Sequence, residues 1–220
     1  MKRRWVKVVL LLAALTVLAC VALLYVESDG HVVDYLIWRW MVTFKRPIER
    51  VDDYHVVITK SAHQLDVYHG DELLASYRAA ISFRGLAPRQ TWADELTPEG
   101  EFLIASMQYQ SIFGPRQMLL DTTAQSLADY VDQYGQAGRA RLEAWEADHG
   151  SLDTIWEVYD FNAAYPNHPL WNDILIHGGG SDRDWSLGCI ALDDADVVDL
   201  FDILRRSRRR GIGVAVEILP

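Results

Sequence analysis

Residues 174–204 read ILIHGGGSDRDWSLGCIALDDADVVDLFDIL, and the rest of the chain is organised around them. Residues 174–176 are a short apolar run suited to a buried strand, with His177 emerging at its end. Gly178, Gly179 and Gly180 then permit a sharp turn and a close backbone approach to a ligand. Cys189 lies twelve positions after the histidine, between Gly188 and Ile190. Beyond it Asp193, Asp194 and Asp196 open a helix whose apolar face repeats at Val197, Leu200, Phe201 and Leu204. Cys189 is therefore expected on a loop just ahead of that helix. A thiol attacks as the thiolate, and its ordinary pKa of roughly 8.5 leaves little thiolate at neutral pH. A neighbouring imidazole can take the proton, which makes His177 and Cys189 the candidate base and nucleophile. On spacing alone, a buried structural cysteine and a loop histidine explain the pair equally well.

The fuller wording, His177-Gly178, a spacer, then Ser186-Leu187-Gly188-Cys189-Ile190, resembles the signature of the L,D-transpeptidase catalytic domain, a family of peptidoglycan-processing cysteine enzymes. Two earlier stretches carry the same resemblance: residues 56–82, VVITKSAHQLDVYHGDELLASYRAAIS, and Thr97-Pro98-Glu99-Gly100-Glu101-Phe102. Phe161-Asn162 followed by Tyr165-Pro166-Asn167 resembles a membrane- or periplasm-located branch of the family. The resemblance covers about residues 54–220, densely at 54–104 and 160–204.

It implies a mostly β fold, an L,D-transpeptidase-type β-sandwich or barrel-like core with a few helices, and Cys189 at a cleft rim. It also implies that Cys189 attacks the carbonyl at the L-centre of a diamino acid in a peptidoglycan stem peptide, and that an amine or water resolves the thioester. His177 takes the thiol proton and returns it to the leaving amine, oriented by a backbone carbonyl rather than by a third acid. Backbone N–H groups around Gly188 and Cys189 are expected to hold the oxyanion. Ser186 shapes the loop, the 97–102 motif is architectural, and Gly178, Tyr165, Asn167 and Ala191 are substrate-rim candidates. Asp182, Asp184 and Trp185 in the spacer are expected to shape the rim. One departure matters: the commonest wording has arginine or asparagine two places after the cysteine, where this chain has Ala191. Gly-Cys-Ile-Ala-Leu is closer to the branch that includes enzymes cutting peptidoglycan from attached protein, so hydrolysis competes with transpeptidation.

The chain of 220 residues is long enough for one good core. Lys2, Arg3, Arg4 and Lys7 precede an uncharged run over residues 8–26, close to the ~20 residues that cross a bilayer as a helix. The basic flank places the N-terminus in the cytoplasm and the rest of the chain outside. An uncleaved anchor over residues 1–30 is expected, single-pass in the inner (cytoplasmic) membrane with the catalytic domain on the periplasmic side. A cleaved signal peptide lacks its Ala-x-Ala site, and Val17-Leu18-Ala19-Cys20 is a poor lipidation box because of Leu18. Cys20 and Cys189 are the two cysteines, so Cys189 is a lone thiol in an oxidising compartment. Residues 31–53 carry Tyr35, Trp38, Trp40 and Phe44 among basic residues, and read as a helix ending before Pro47, either interfacial or packed on the domain.

From residue 54 the period changes. Residues 54–59, 64–68 and 73–80 read as strands of a β-meander with a turn at His69-Gly70-Asp71-Glu72. Lys60 and His63 are expected as solvated turn residues. Residues 82–95 read as loop, after which Pro98 and Gly100 aim a strand over 101–106. Residues 122–150 turn helical, with Leu127, Tyr130, Val131, Tyr134, Leu142 and Trp145 on one face and interruptions at Gly135 and Gly138. This is expected to be an insertion, about 123–149, covering the cleft. Residues 214–219 read as a closing strand.

The net charge of -10 argues against a general nucleic-acid binder, and Arg205 to Arg210 read as solvated cations at a helix C-terminus. His168 with His177 and Cys189 would be a scattered donor set lacking any His-Glu-x-x-His or Cys-x-x-Cys, so neither metal nor cofactor is expected. The expected organisation is an anchor (1–30), a juxtamembrane segment (31–53) and a catalytic domain (54–220). Its expected partners are peptidoglycan stem peptides, a peptidoglycan-linked protein and the membrane. The rival readings are an amidase-like hydrolase, a non-catalytic peptidoglycan-binding module and a protease of ordinary proteins.

Overall fold

The structure is a computed structural model and describes residues 16–22, 32–109 and 111–220. The chain divides into two compact units, residues 1–40 and 41–220. In the first, residues 16–22 are helical, and helix α1 (Val32–Thr43) begins. The expected apolar span over residues 8–26 lies outside the described residues apart from 16–22. Among the described residues no helix is long and apolar enough to cross a membrane.

The second unit is built on eight strands, β1 (Val51–Thr59), β2 (Gln64–His69), β3 (Glu72–Arg78), β4 (Gly100–Gln108), β5 (Gln117–Asp121), β6 (Leu175–His177), β7 (Ile190–Ala191) and β8 (Val214–Leu219). They form one sheet in the order β3-β2-β1-β8-β4-β5-β6-β7. The pairs β1/β8 and β6/β7 are parallel and the rest antiparallel. The closing strand thus enters the middle of the sheet, between β1 and β4. The two outer ends also meet: Ala80, just past β3, exchanges two backbone hydrogen bonds of 2.8 Å with Ala191 of β7. This single bridge brings the two ends of the mixed sheet together.

Alternation decides which side is core. Val56 and Ile58 of β1, Leu65 and Val67 of β2, and Val216 and Ile218 of β8 are buried on one face. Helix α4 (Asp194–Leu204) lays Val197, Leu200, Phe201 and Leu204 against β5 and β6. Each such burial stabilises the fold by about 1.5–3 kcal/mol, before entropy is subtracted. This packing fixes the strand that carries His177.

The helical share exceeds the mostly β expectation, because the connection from β5 to β6 is made by two helices, α2 (Thr123–His149) and α3 (Ile155–Ala164). Helix α2 kinks where expected, at Gly135 (φ 55°, ψ -134°). Its Tyr130 and Trp145 each pack edge-on to Phe161 of α3 at 5.7 Å. Helix α3 opens on a reciprocal cap in which Glu157 accepts the Thr154 N–H at 2.9 Å.

Lys60 is not the solvated turn residue expected. It is fully buried, donating to Leu86 O at 2.6 Å and Thr97 O at 3.4 Å and pairing with Glu99 at 2.6 Å. The turn beside it is covered by the loop at 82–97, whose Ser82 N–H donates to Thr97 Oγ1 at 3.0 Å. A buried ammonium needs such a set of acceptors. The 97–102 motif is architectural through this contact, since Thr97 and Glu99 hold the β1–β2 turn to the loop. His63 also differs from expectation, its Nε2 lying 3.0 Å from Asp184 Oδ2.

Candidate active site

The parallel pair β6/β7 sets the geometry. Ile176 faces Ile190 and His177 faces Ala191, and one step back Cys189 comes opposite Leu175, whose backbone N–H donates to the thiol sulfur. Cys189 immediately precedes β7 and His177 ends β6, so the two lie on neighbouring segments, two residues out of register.

His177 is buried and held from several directions. Its Nδ1 lies 2.6 Å from the Gly178 carbonyl. A carbonyl only accepts, so Nδ1 carries the hydrogen and Nε2 keeps the lone pair a base needs. The ring is flanked by Phe113 at 4.8 Å and by Trp185 edge-on at 5.4 Å. Trp185 is itself fixed by donation from Nε1 to Gly180 O at 3.0 Å. Burial lowers the pKa of His177 below its ordinary 6.5, against an opposing push from the Gly178 bond. The imidazole is neutral at neutral pH.

The glycine turn is tied to the start of α4. Asp194 Oδ1 accepts the Gly179 N–H at 2.9 Å, and Asp193 Oδ1 accepts both the Ser181 N–H at 2.8 Å and its hydroxyl at 3.0 Å. The first-turn acids therefore hold the loop as well as facing the helix dipole. Gly178 is needed for close approach, since a Cβ there would stand 2.4 Å from Asp194 Oδ1.

Cys189 is partly exposed as a residue, and its thiol donates to the Asp173 carbonyl at 3.4 Å. Asp173 has a left-handed backbone (φ 60°), and its carboxylate accepts the Tyr159 hydroxyl at 2.5 Å. Desolvation pushes the thiol up to about 11, opposed by the Leu175 N–H and the charge of Arg89 and reinforced by Asp173. The resting pair is thus a neutral thiol beside a neutral imidazole.

Ser186 shapes the nucleophile loop: its hydroxyl donates to Cys189 O at 2.6 Å and accepts the Gly188 N–H at 3.2 Å. The Gly188 N–H is engaged within the loop. Gly188 has φ +119°, and a Cβ on it would meet Arg89 Nη1 at 2.5 Å and Leu96 O at 2.8 Å.

The remaining rim candidates are not gathered at the pair. Ala191 is fully buried in β7, bonded to Ala80. Gly178 is buried beneath Gly114 and Pro115. Tyr165 ends α3 with its ring 4.8 Å from Phe161, and Asn167 is exposed in the following turn. Among the described residues no hydrogen bond or ring contact joins Tyr165 or Asn167 to Cys189 or His177. His168 packs edge-on to Tyr134 at 5.3 Å. In the spacer, Asp184 Oδ1 accepts the Ile81 N–H at 2.9 Å and the Asp182 carbonyl accepts from Arg78 at 3.0 Å.

Four residues near the site were missed by sequence reasoning: Arg89, Phe113, Tyr159 and Asp173. Only Phe113 had a usable signal, an aromatic residue ahead of Gly114-Pro115 in a short turn between two strands.

A cysteine on a strap, a neutral histidine locked by a backbone carbonyl and a tight glycine turn thus lie at the ends of β6 and β7. The YkuD family model, the L,D-transpeptidase catalytic domain, matches residues 53–218, and the chain belongs to that family. No curated protein sequence matches the chain. Among solved structures it is similar to L,D-transpeptidase 1 of Mycobacterium tuberculosis (18% identity, 77% of this chain and 62% of that one, TM-score 0.37). It is also similar to the helical cell shape determining protein Pgp2 of Campylobacter jejuni (14%, 82% and 54%, TM-score 0.44). A third is Bd1075 of Bdellovibrio bacteriovorus (13%, 79% and 51%, TM-score 0.42). The chain thus spans between about half and two thirds of these chains.

Proposed function

We propose that this protein is a cysteine acyl-transfer enzyme of the cell wall that acts on a diamino-acid-containing peptidoglycan stem peptide. Membership of the family supports the substrate class. The observation that carries the chemistry is a neutral, Nδ1-locked His177 at the end of β6, beside the segment that leads Cys189 into β7. As the Cys189 sulfur adds to the carbonyl at the L-centre, its proton passes to His177 Nε2. The tetrahedral oxyanion is met by the Cys189 N–H. Collapse breaks the carbon–nitrogen bond, His177 returns the proton to the leaving amine, and a thioester remains. An incoming amine, or water, then gives up a proton to His177 and attacks the thioester, and Cys189 leaves as the restored thiol.

Two acceptors are compatible with this site, an amine for cross-linking and water for hydrolysis, including release of a peptidoglycan-linked protein. Hydrolysis is favoured by one feature: the position two past the nucleophile is a buried alanine paired into the sheet, so it brings no cation to the rim. The cytoplasmic-membrane anchor belongs to the same proposal, supported by the basic flank and uncharged run at 1–26.

Incubation of the full chain in detergent with tetrapeptide muropeptides should release the residue after the diamino acid, and Cys189→Ala should not. Added free amine then separates the outcomes, because an amide product means transfer and its absence means hydrolysis. Release by Cys189→Ala at the wild-type rate would end the proposal.

A further inference from the structure

The loop that carries the nucleophile is held by a side chain from 98 positions earlier in the chain. Arg89 is only 6% exposed. Its Nη1 donates to Leu187 O at 3.1 Å and Leu96 O at 3.4 Å, and its Nη2 to Trp92 O at 2.9 Å. Its guanidinium lies 5.7 Å over the ring of Trp171, which is pinned by donation from Nε1 to Asp129 Oδ2 of α2 at 2.9 Å. A Cβ at Gly188 would be 2.5 Å from Nη1, so the guanidinium rests directly against the peptide ahead of Cys189.

The carbonyl partners satisfy hydrogen bonds but carry no charge. The carboxylate within reach is Asp94, 3.9 Å from Nε, and its oxygens already accept the N–H groups of Gln90, Thr91 and Leu96. Burial lowers the guanidinium pKa, against Asp94, Cys189, Glu95 and Asp173; at the sulfur, where desolvation dominates, Arg89 is one of two groups that pull the thiol pKa down, the other being the Leu175 N–H. An enclosed cation with a forked donor set serves both geometry and field, which an ammonium could match only in charge.

We propose that Arg89 is the positioning residue of the nucleophile loop, holding the Leu187 carbonyl and supplying the positive charge that favours the Cys189 thiolate. It is shielded from substrate and acts through the loop. The inference rests on Cys189 being the reacting thiol.

Iodoacetamide alkylation of the full chain in detergent at pH 8, followed on the Cys189 peptide by mass spectrometry, tests this without needing muropeptides. Removing a neighbouring opposite charge lowers the thiolate fraction about ten- to a hundredfold. The more basic sulfur is intrinsically more nucleophilic, which leaves a net fall of about threefold to tenfold. Arg89→Met should show that fall, while Arg89→Lys, which keeps the charge, should stay within about twofold of wild type. In turnover of tetrapeptide muropeptides, Arg89→Lys should still lose about tenfold, because it cannot hold the fork of carbonyls. If Arg89→Met fails to fold, as judged by tryptophan emission, the contrast within Arg89→Lys decides. Wild-type alkylation by a folded Arg89→Met, or equal losses of alkylation and turnover in Arg89→Lys, would overturn the inference. Alkylation that follows the charge in a wild type inert to muropeptides would leave Arg89 in its role and remove the proposed substrate instead.

Discussion

The two halves of the site are held in opposite ways. His177 is fixed mainly by its own neighbourhood, since Gly178, Trp185 and Asp194 all lie within the next 17 positions. Cys189 is held by its near neighbours Ser186 and Asp173 and also from far away: Arg89 grips the carbonyl ahead of it, and Ser186 is anchored to Ile81 and Phe83 by backbone bonds. The proposed base is thus set largely by a local turn, whereas the proposed nucleophile is tied in addition to distant segments. Loosening the fold should therefore misplace the sulfur before it misplaces the imidazole.

The largest expected effects are at the reacting atoms. Cys189→Ala should abolish thioester formation. His177→Gln should lower kcat/KM about 10²–10⁴-fold, read from muropeptide turnover. Equal survival of activity in both would break the pairing of the halves altogether.

On the cysteine side, Gly188→Ala forces a Cβ into Arg89 at φ +119° and should cost about 1–3 kcal/mol of stability as well as most of the activity. Thermal unfolding with a thiol-reactivity assay checks both losses together. Ser186→Ala removes one donor and one acceptor beneath Cys189 and should cost about 1–3 kcal/mol, lowering activity more than a comparable change distant from the loop.

The histidine side is best probed by pH. Because burial lowers its pKa, His177 stays neutral at 6.5, and the acid limb of kcat/KM should lie below that value. The linked stability has the same sign: the unfolded chain binds the proton more readily, so stability is complete above 6.5 and is lost as pH falls through the depressed folded value. The raised thiol pKa means that alkylation of Cys189 should climb with pH towards about 11. The smallest expected effect is that of Phe113→Ala, which lets water reach the imidazole and moves the acid limb up towards 6.5 with little change in the plateau. An acid limb that stayed in place would mean that the ring does not shield the base.

The same contrast explains what was legible in the sequence. The strand–turn–strap–helix order around His177 and Cys189, the β-meander and the kink at Gly135 follow from local period and glycine placement, and all are present. The central position of β8 and the closure of Ala80 on Ala191 depend on pairings between distant segments, which period cannot reveal. Strand β5 and helix α3 are short apolar runs without a strong period, although Thr154 with Glu157 offered a capping signal for the second. Lys60 and Arg89 were misread or missed for one reason: a single cation in a loop looks solvated until the chain that covers it is placed.

The central claim, acyl transfer through Cys189, is tested most directly by acid-quenched intact-mass measurement of the full chain mixed with tetrapeptide muropeptides. The account predicts a mass increase equal to the acyl fragment, located on Cys189 and absent from Cys189→Ala, with the terminal residue released in step. Release of that residue by the wild type and by Cys189→Ala alike, with no adduct on either, would contradict it.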